Sequence, residues 1–303
     1  MSALPPALGG ERFEFDSPAG RLSCYVAGQG APLLLVHSVN AAASAAEVRP
    51  LYEHWQAART VFAVDLPGYG FSDRSDRAYT PRLMTDALHA ALEQIQQRCG
   101  KAAVDALAVS LGCEFLARAA VEAPARVRRL ALVSPTGFNG IRRRRGPAGS
   151  VVGAPWIERM VRGPGWSGPL FRALTRPGVI RYFLRRTWGG PAIDEAMARY
   201  AELTTRVPGA EHAPLAFLSA QLFSQDISTV YEQLEQPVWM SHGVRGDFTD
   251  YRGKDSVEGR PNWRFTVFAT GALPYFEVPG DFNAALGDFL ASAPSPARGR
   301  GLG

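Results

Sequence analysis

Ser110 stands where a short apolar run, Val104-Asp105-Ala106-Leu107-Ala108-Val109, gives way to a helix-patterned stretch from Glu114 to Ala120. A hydroxyl on such a strand-to-helix corner is pushed clear of the sheet. Small residues two positions to either side, here Ala108 and Gly112, keep the neighbouring backbone out of its way. This is the geometry of a serine nucleophile on an elbow, with Ala108 where the G-x-S-x-G form has its first glycine. The same five residues equally describe a strand that ends in a serine N-cap. Nucleophilic chemistry asks for more than the hydroxyl: a base within hydrogen-bond reach, a group to orient that base, and N–H donors for the oxyanion.

The histidines are His37, His54, His89, His212 and His242. His37 and His242 each close an apolar run, and His242 reads as a buried, hydrogen-bonded histidine. His212 precedes a helical stretch, Pro214 to Phe223, and could in principle descend over Ser110, but none of the five is established as the base. His54 and His89 fall on helices with no link to the elbow. Tyr275 can donate a hydrogen bond, but with a reference pKa near about 10 it is a poor base. No metal-ligand spacing, phosphate-cradling loop or dinucleotide fingerprint occurs, so no cofactor is expected.

The elements that must hold this chemistry alternate along the chain. Arg12 to Asp16 and Leu22 to Val26 alternate around Ser17-Pro18-Ala19-Gly20, as a hairpin does. Leu33 to His37, Thr60 to Asp65, Val104 to Val109 and Arg128 to Ser134 are continuous apolar runs, the pattern of strands buried on both faces of a parallel sheet. Helical patterns at Glu47 to Trp55, Thr85 to Gln97 and after Ser110 separate them, which makes βαβ units. The rhythm stops after Pro135 in a stretch rich in arginine and aromatics, with helical runs such as Ala192 to Leu203. It resumes at Pro237 to His242 and Trp263 to Phe268, and a last helix covers Asp281 to Leu290. The division expected is an α/β core over 1–137, a helical cap over 138–235, the rest of the core over 236–292, and a disordered tail over 293–303. Trp156, Trp166, Phe171, Phe183, Trp188 and Phe217 are expected to roof a pocket, though packing against the core accounts for most of them equally well.

At 303 residues and 46% hydrophobic content the chain can bury a full core. Its apolar runs fall far short of the roughly 20 residues of a membrane-spanning helix, and its start reads as lacking a secretory leader. Cys24, Cys99 and Cys113 are odd in number and without C-x-x-C spacing, as in reduced thiols of a cytoplasmic protein. The net charge of +5 is almost wholly arginine, densest at Arg142 to Arg145. No nucleic-acid-binding module surrounds that run, so it reads as a solvated face, with attraction to anionic substrates or lipid headgroups as the alternative.

With these residues in view, the stretch from Leu33 to Leu290 resembles the α/β-hydrolase superfamily, in particular its capped, esterase-like serine hydrolases of the AB hydrolase-1 type. Asp65-Leu66-Pro67-Gly68-Tyr69-Gly70-Phe71-Ser72 is similar to the D-x-P-G-x-G-x-S signature, and His37-Ser38-Val39-Asn40 occupies the oxyanion-loop position. The resemblance implies an α/β-hydrolase fold, Ser110 as nucleophile, the N–H groups of Val39 and Leu111 as oxyanion hole, and Asp247 in the Gly243-Val244-Arg245-Gly246-Asp247 turn as the acid. It also implies a histidine in the turn Gly271-Ala272-Leu273-Pro274-Tyr275-Phe276-Glu277, whose family form is G-H-x-P-x-x-E. Ala272 stands in the place of that histidine. A triad lacking one member while keeping its oxyanion hole retains roughly 10³–10⁴-fold acceleration over water. Three readings follow: a hydrolase of a hydrophobic ester or related acyl compound with a degenerate triad, a pseudo-hydrolase that binds a ligand or partner, or an ordinary hydrolase into which Ala272 was introduced.

Overall fold

A computed structural model describes residues 4–140 and 143–292, so Arg142 and the expected tail lie outside the described residues. Eight strands form one sheet: β1 (Glu11–Phe15), β2 (Leu22–Ala27), β3 (Pro32–Val36), β4 (Thr60–Asp65), β5 (Val104–Val109), β6 (Val127–Val133), β7 (Val238–Gly243) and β8 (Trp263–Phe268), in the order β1-β2-β4-β3-β5-β6-β7-β8. The expected hairpin β1–β2 pairs antiparallel, β2 pairs antiparallel with β4, and every pairing from β4 to β8 is parallel. All residues of β3 and β5 are buried, as continuous apolar strands covered on both faces must be.

Helices α1 (Arg49–Trp55), α2 (Pro81–Cys99) and α3 (Gly112–Glu122) are the crossovers of the first half. Between β6 and β7 the chain inserts α4 (Pro155–Val161), α5 (Ser167–Leu174), α6 (Pro177–Trp188), α7 (Glu195–Thr204), α8 (His212–Leu218) and α9 (Ile227–Gln233). α10 (Asp255–Glu258), α11 (Pro274–Glu277) and α12 (Pro279–Ala291) complete the second half. The helix expected over Pro214 to Phe223 ends at Leu218. Ser219 Oγ turns back onto the carbonyls of Leu215 and Ala216, and Ala220 adopts a left-handed φ of 59°, so a serine competing for helix carbonyls stops the helix early.

Buried ion pairs tie the insertion to the core. Arg118 of α3 grips Asp226 through two nitrogens, and Glu114 accepts the Ser224 N–H at 2.9 Å and the Thr136 hydroxyl at 2.6 Å. Because β4 and β5 flank β3 on opposite sides, the strand order reverses at the β3/β5 boundary. Ligands of open parallel sheets settle at such a point, outside the carboxyl ends of the strands. The loops after β3, β5, β6 and β8 all reach it.

Candidate active site

Ser110 follows β5 directly and has φ of 53°, one of three non-glycine residues with positive φ among the described residues. A left-handed conformation costs an L-residue about 1–2 kcal/mol, and surrounding bonds must enforce it. The Ser110 N–H donates to Val133 O at 2.8 Å, and its carbonyl accepts the Cys113 N–H at 3.1 Å. Gly112 is needed on the far side, since a Cβ there would meet His37 O at 2.5 Å. The strained corner therefore presses the first turn of α3 against the end of β3.

Ser110 lines a pocket of about 150 Å³ together with Val39, Leu111 and Ala272. Among the described residues neither the Val39 nor the Leu111 N–H meets a protein acceptor. Ser134, after β6, also adopts positive φ (48°) and lines the same pocket. Its hydroxyl donates to Ala272 O at 2.6 Å.

The turn bearing Ala272 keeps its frame. Glu277 accepts the Gly271 N–H at 2.7 Å, and a Cβ on Gly243 would lie 2.0 Å from Gly271 O, which packs the Gly243 to Asp247 turn and the Gly271 to Glu277 turn backbone to backbone. Two consecutive residues at the end of α6 then engage Ala272 and Asp247. The Thr187 carbonyl accepts the Ala272 N–H at 2.9 Å. Arg186 holds Asp247 through Nε at 2.5 Å and Nη2 at 2.9 Å. Asp247 is partly exposed and absent from the pocket lining, so the structure brings Ser110, Val39, Leu111 and Ala272 together and leaves Asp247 in an ion pair outside them.

No histidine lines the pocket among the described residues. His37 Nε2 accepts the Leu66 N–H at 3.0 Å, a structural duty. His212 turns to Asp76 at 3.4 Å rather than over Ser110. His54 packs edge-on to Trp55, and His89 pairs with Glu122. His242 stacks on Tyr251 with centroids 4.0 Å apart and bonds Gly243 O through Nδ1.

Burial holds the His242 pKa below its usual 6.5. The unfolded chain then takes up this proton first, so the contribution to stability is present above about pH 6.5 and lost as pH falls through the range below it. The urea midpoint of the native chain is expected to drop between pH 8 and 5.5 by more than that of His242→Phe. Equal drops would contradict the assignment.

Of the expected aromatic roof, only Phe217 reaches this pocket, where it joins Phe223, Phe248 and Leu184. Trp156, Trp166 and Phe183 are exposed, and Phe171 and Trp188 are buried elsewhere. Helix-face aromatics carry no mark of which neighbour they cover.

One group that sequence reasoning missed is Glu47, which lines the pocket and is 3% exposed. Its Oε2 accepts the Ser38 N–H at 2.9 Å and its Oε1 accepts Asn40 Nδ2 at 2.6 Å. Asp65 sets this up, taking the N–H groups of Ala45 and Phe71 on its two oxygens and so fixing the short 3₁₀ turn Ala45–Val48. The available signal was an acidic residue inside the otherwise small and apolar Ala41-Ala42-Ala43-Ser44-Ala45-Ala46-Glu47-Val48 stretch.

The sheet order, the elbow and the insertion after β6 are together the α/β-hydrolase fold. Residues 31–152 match the family model described as alpha/beta hydrolase fold. No curated protein matches the chain. Solved structures similar to it include a probable hydrolytic enzyme from Pseudomonas aeruginosa PAO1 (21% identity, 93% of this chain and 94% of that one, TM-score 0.70). A serine hydrolase involved in carbazole degradation is similar at 17% identity, covering 92% and 99%, with TM-score 0.72. A putative aryl esterase from Burkholderia cenocepacia is similar at 17% identity, covering 92% and 98%, with TM-score 0.67.

Proposed function

We propose that this chain binds a small hydrophobic compound at Ser110 and, having no histidine base, hydrolyses carboxylic esters only slowly through that serine. The observation that carries the reading is the shared pocket: a strained serine, two free N–H groups and Ala272 face one cavity that no imidazole enters. The cavity wall is mostly apolar, which supports a hydrophobic acyl ligand. The serine-hydrolase and esterase activities named for two similar structures support the same chemistry.

Slow turnover follows from two features. Without a base, proton transfer both from Ser110 and to its leaving group is unassisted. A developing oxyanion is also stabilised by positive potential, whereas the Ser38 N–H beside Val39 is already taken by the Glu47 side chain. The cysteines Cys24, Cys99 and Cys113 are free, which supports a reducing, cytoplasmic setting. No described helix is long and apolar enough to cross a membrane.

Water attack on an acyl-serine needs the same missing base as its formation, so an acyl group once on Ser110 should persist. Incubation with p-nitrophenyl acetate is expected to leave one acetyl group on Ser110, found by peptide mass spectrometry and absent from Ser110→Ala. Acetylation confined to other residues would overturn the proposal.

A further inference from the structure

Glu47 is the one ionisable side chain that lines the Ser110 pocket among the described residues. Both of its oxygens accept N–H bonds, the behaviour of a carboxylate, and both donors are neutral: a backbone amide and a side-chain amide. No arginine, lysine or histidine nitrogen of the described residues lies within 4 Å of it. Of the other deeply buried carboxylates, Asp65 is likewise held by two backbone N–H groups but does not line the pocket, and the remaining three are ion-paired. Asp105 meets Arg59, Arg128 and Arg129, Asp226 meets Arg118, and Glu114 meets Arg144.

Buried charge without a counter-charge is expensive, and a carboxylate offers about four lone-pair sites, of which two are filled here. The remaining acceptor capacity borders the cavity. Three phenyl rings, Phe217, Phe223 and Phe248, line that cavity as well. Ring faces attract cations and bury hydrocarbon. A carboxylate set against aromatic walls is the chemistry that holds a hydrophobic ammonium group, and it repels a carboxylate ligand.

We propose that the Ser110 pocket selects a small hydrophobic ligand bearing a protonated amine, which supplies the missing counter-charge to Glu47. The inference rests on the Ser110 pocket being the ligand site and names the head group it takes. The volume of about 150 Å³ sets the size, since an apolar cavity of about that volume holds a benzene ring. Asn40 cannot satisfy Glu47 further, because its Nδ2 is shared with Ser38 Oγ at 3.0 Å and its Oδ1 accepts the Ala42 N–H at 2.7 Å.

Three probes of one shape test this: benzylammonium, benzyl alcohol and benzoate, titrated calorimetrically at pH 7 into the native chain and into Ser110→Ala. The native chain ranks the three without any substitution. Benzylammonium is expected to bind tightest and benzoate weakest, in both proteins alike. Glu47→Gln, which keeps an acceptor for Ser38 N–H, is expected to weaken benzylammonium roughly 10- to 100-fold and leave benzyl alcohol unchanged. Benzyl alcohol or benzoate binding as tightly as benzylammonium would overturn the charge assignment while the ligand site stands. No binding by any of the three would overturn the inference together with the pocket as a ligand site. Because acetylation of Ser110 is read in a separate experiment, failure of the serine chemistry alone leaves this order of affinities intact.

Discussion

Ala272→His is expected to raise the rate of p-nitrophenyl ester hydrolysis by roughly 70-fold and no further. The backbone at 272 is pinned on both sides, by Thr187 O and by the Ser134 hydroxyl, so an imidazole there starts from the wall of the pocket that Ser110 shares. In a serine triad, loss of serine or base costs about 2 × 10⁶ in kcat and loss of the acid alone about 3 × 10⁴, which leaves about 70-fold for a serine and base acting without their acid. Asp247, the residue proposed as that acid, is gripped by Arg186. Adding Arg186→Leu to Ala272→His should therefore raise the rate again, toward the roughly 10⁴-fold that an orienting acid contributes. Arg186→Leu alone should do nothing, because it frees an acid with no base to orient. Ser110→Ala should erase every gain. A folded Ala272→His variant with unchanged rate would show that position 272 does not address Ser110.

The largest expected loss of stability lies at the opposite end of the strands from Ser110, at Asp105 on the central strand β5. Its side chain is fully buried near the start of β5, where it accepts from Arg59 Nη1 at 2.7 Å and Arg128 Nε at 2.8 Å, with Arg129 at 3.3 Å. Burial pushes this carboxyl up, and the hydrogen bonds and charges of Arg128 and Arg59 more than offset that, so its pKa lies below the usual value. Removing one partner of a buried ion pair costs about 3–5 kcal/mol, because the other charge is left without compensation. The low end applies here, since Arg128 is partly solvated. Asp105→Asn is thus expected to lower the unfolding free energy in urea by about 3 kcal/mol. The native contribution is present above the unfolded carboxyl pKa and lost as pH falls through the folded one, so the gap between native and variant should narrow in acid. A loss below about 1 kcal/mol near neutral pH would mean that the three arginines are satisfied without Asp105.

Much of this architecture was legible because its signals are local. Continuous apolar runs identify β3, β4, β5 and β6, and the elbow, the Asp65 to Ser72 turn and the Gly271 to Glu277 turn each carry their own glycines and acids. Those glycines are where the backbone needs them: a Cβ at Gly70 would fall 1.9 Å from Asp65 Cγ. What stayed hidden depends on contacts across long sequence separations. Nothing near Asp247 announces that Arg186, sixty-one residues earlier, grips it. Nothing in α8 says that His212 turns to Asp76 rather than to Ser110. The exposed faces of Trp156 and Trp166 look no different in sequence from the pocket face of Phe217, because helical periodicity identifies a face and not its neighbour. Glu47 was overlooked for the same reason. Its meaning comes from the two neutral donors on its oxygens and the cavity beside it, properties of the folded neighbourhood.

The reactivity of Ser110 itself is the point on which these readings converge. An alkyl fluorophosphonate phosphonylates a serine, forming an Oγ–P bond as fluoride leaves, and its rate depends on a base removing the hydroxyl proton. Intact-mass kinetics on the native chain and on Ala272→His measure that dependence directly. The expected result is slow labelling of the native chain at Ser110 alone, with labelling of the histidine variant faster by roughly the same 70-fold. Native labelling as fast as that of Ala272→His would contradict the account, because it would mean that a base already serves Ser110.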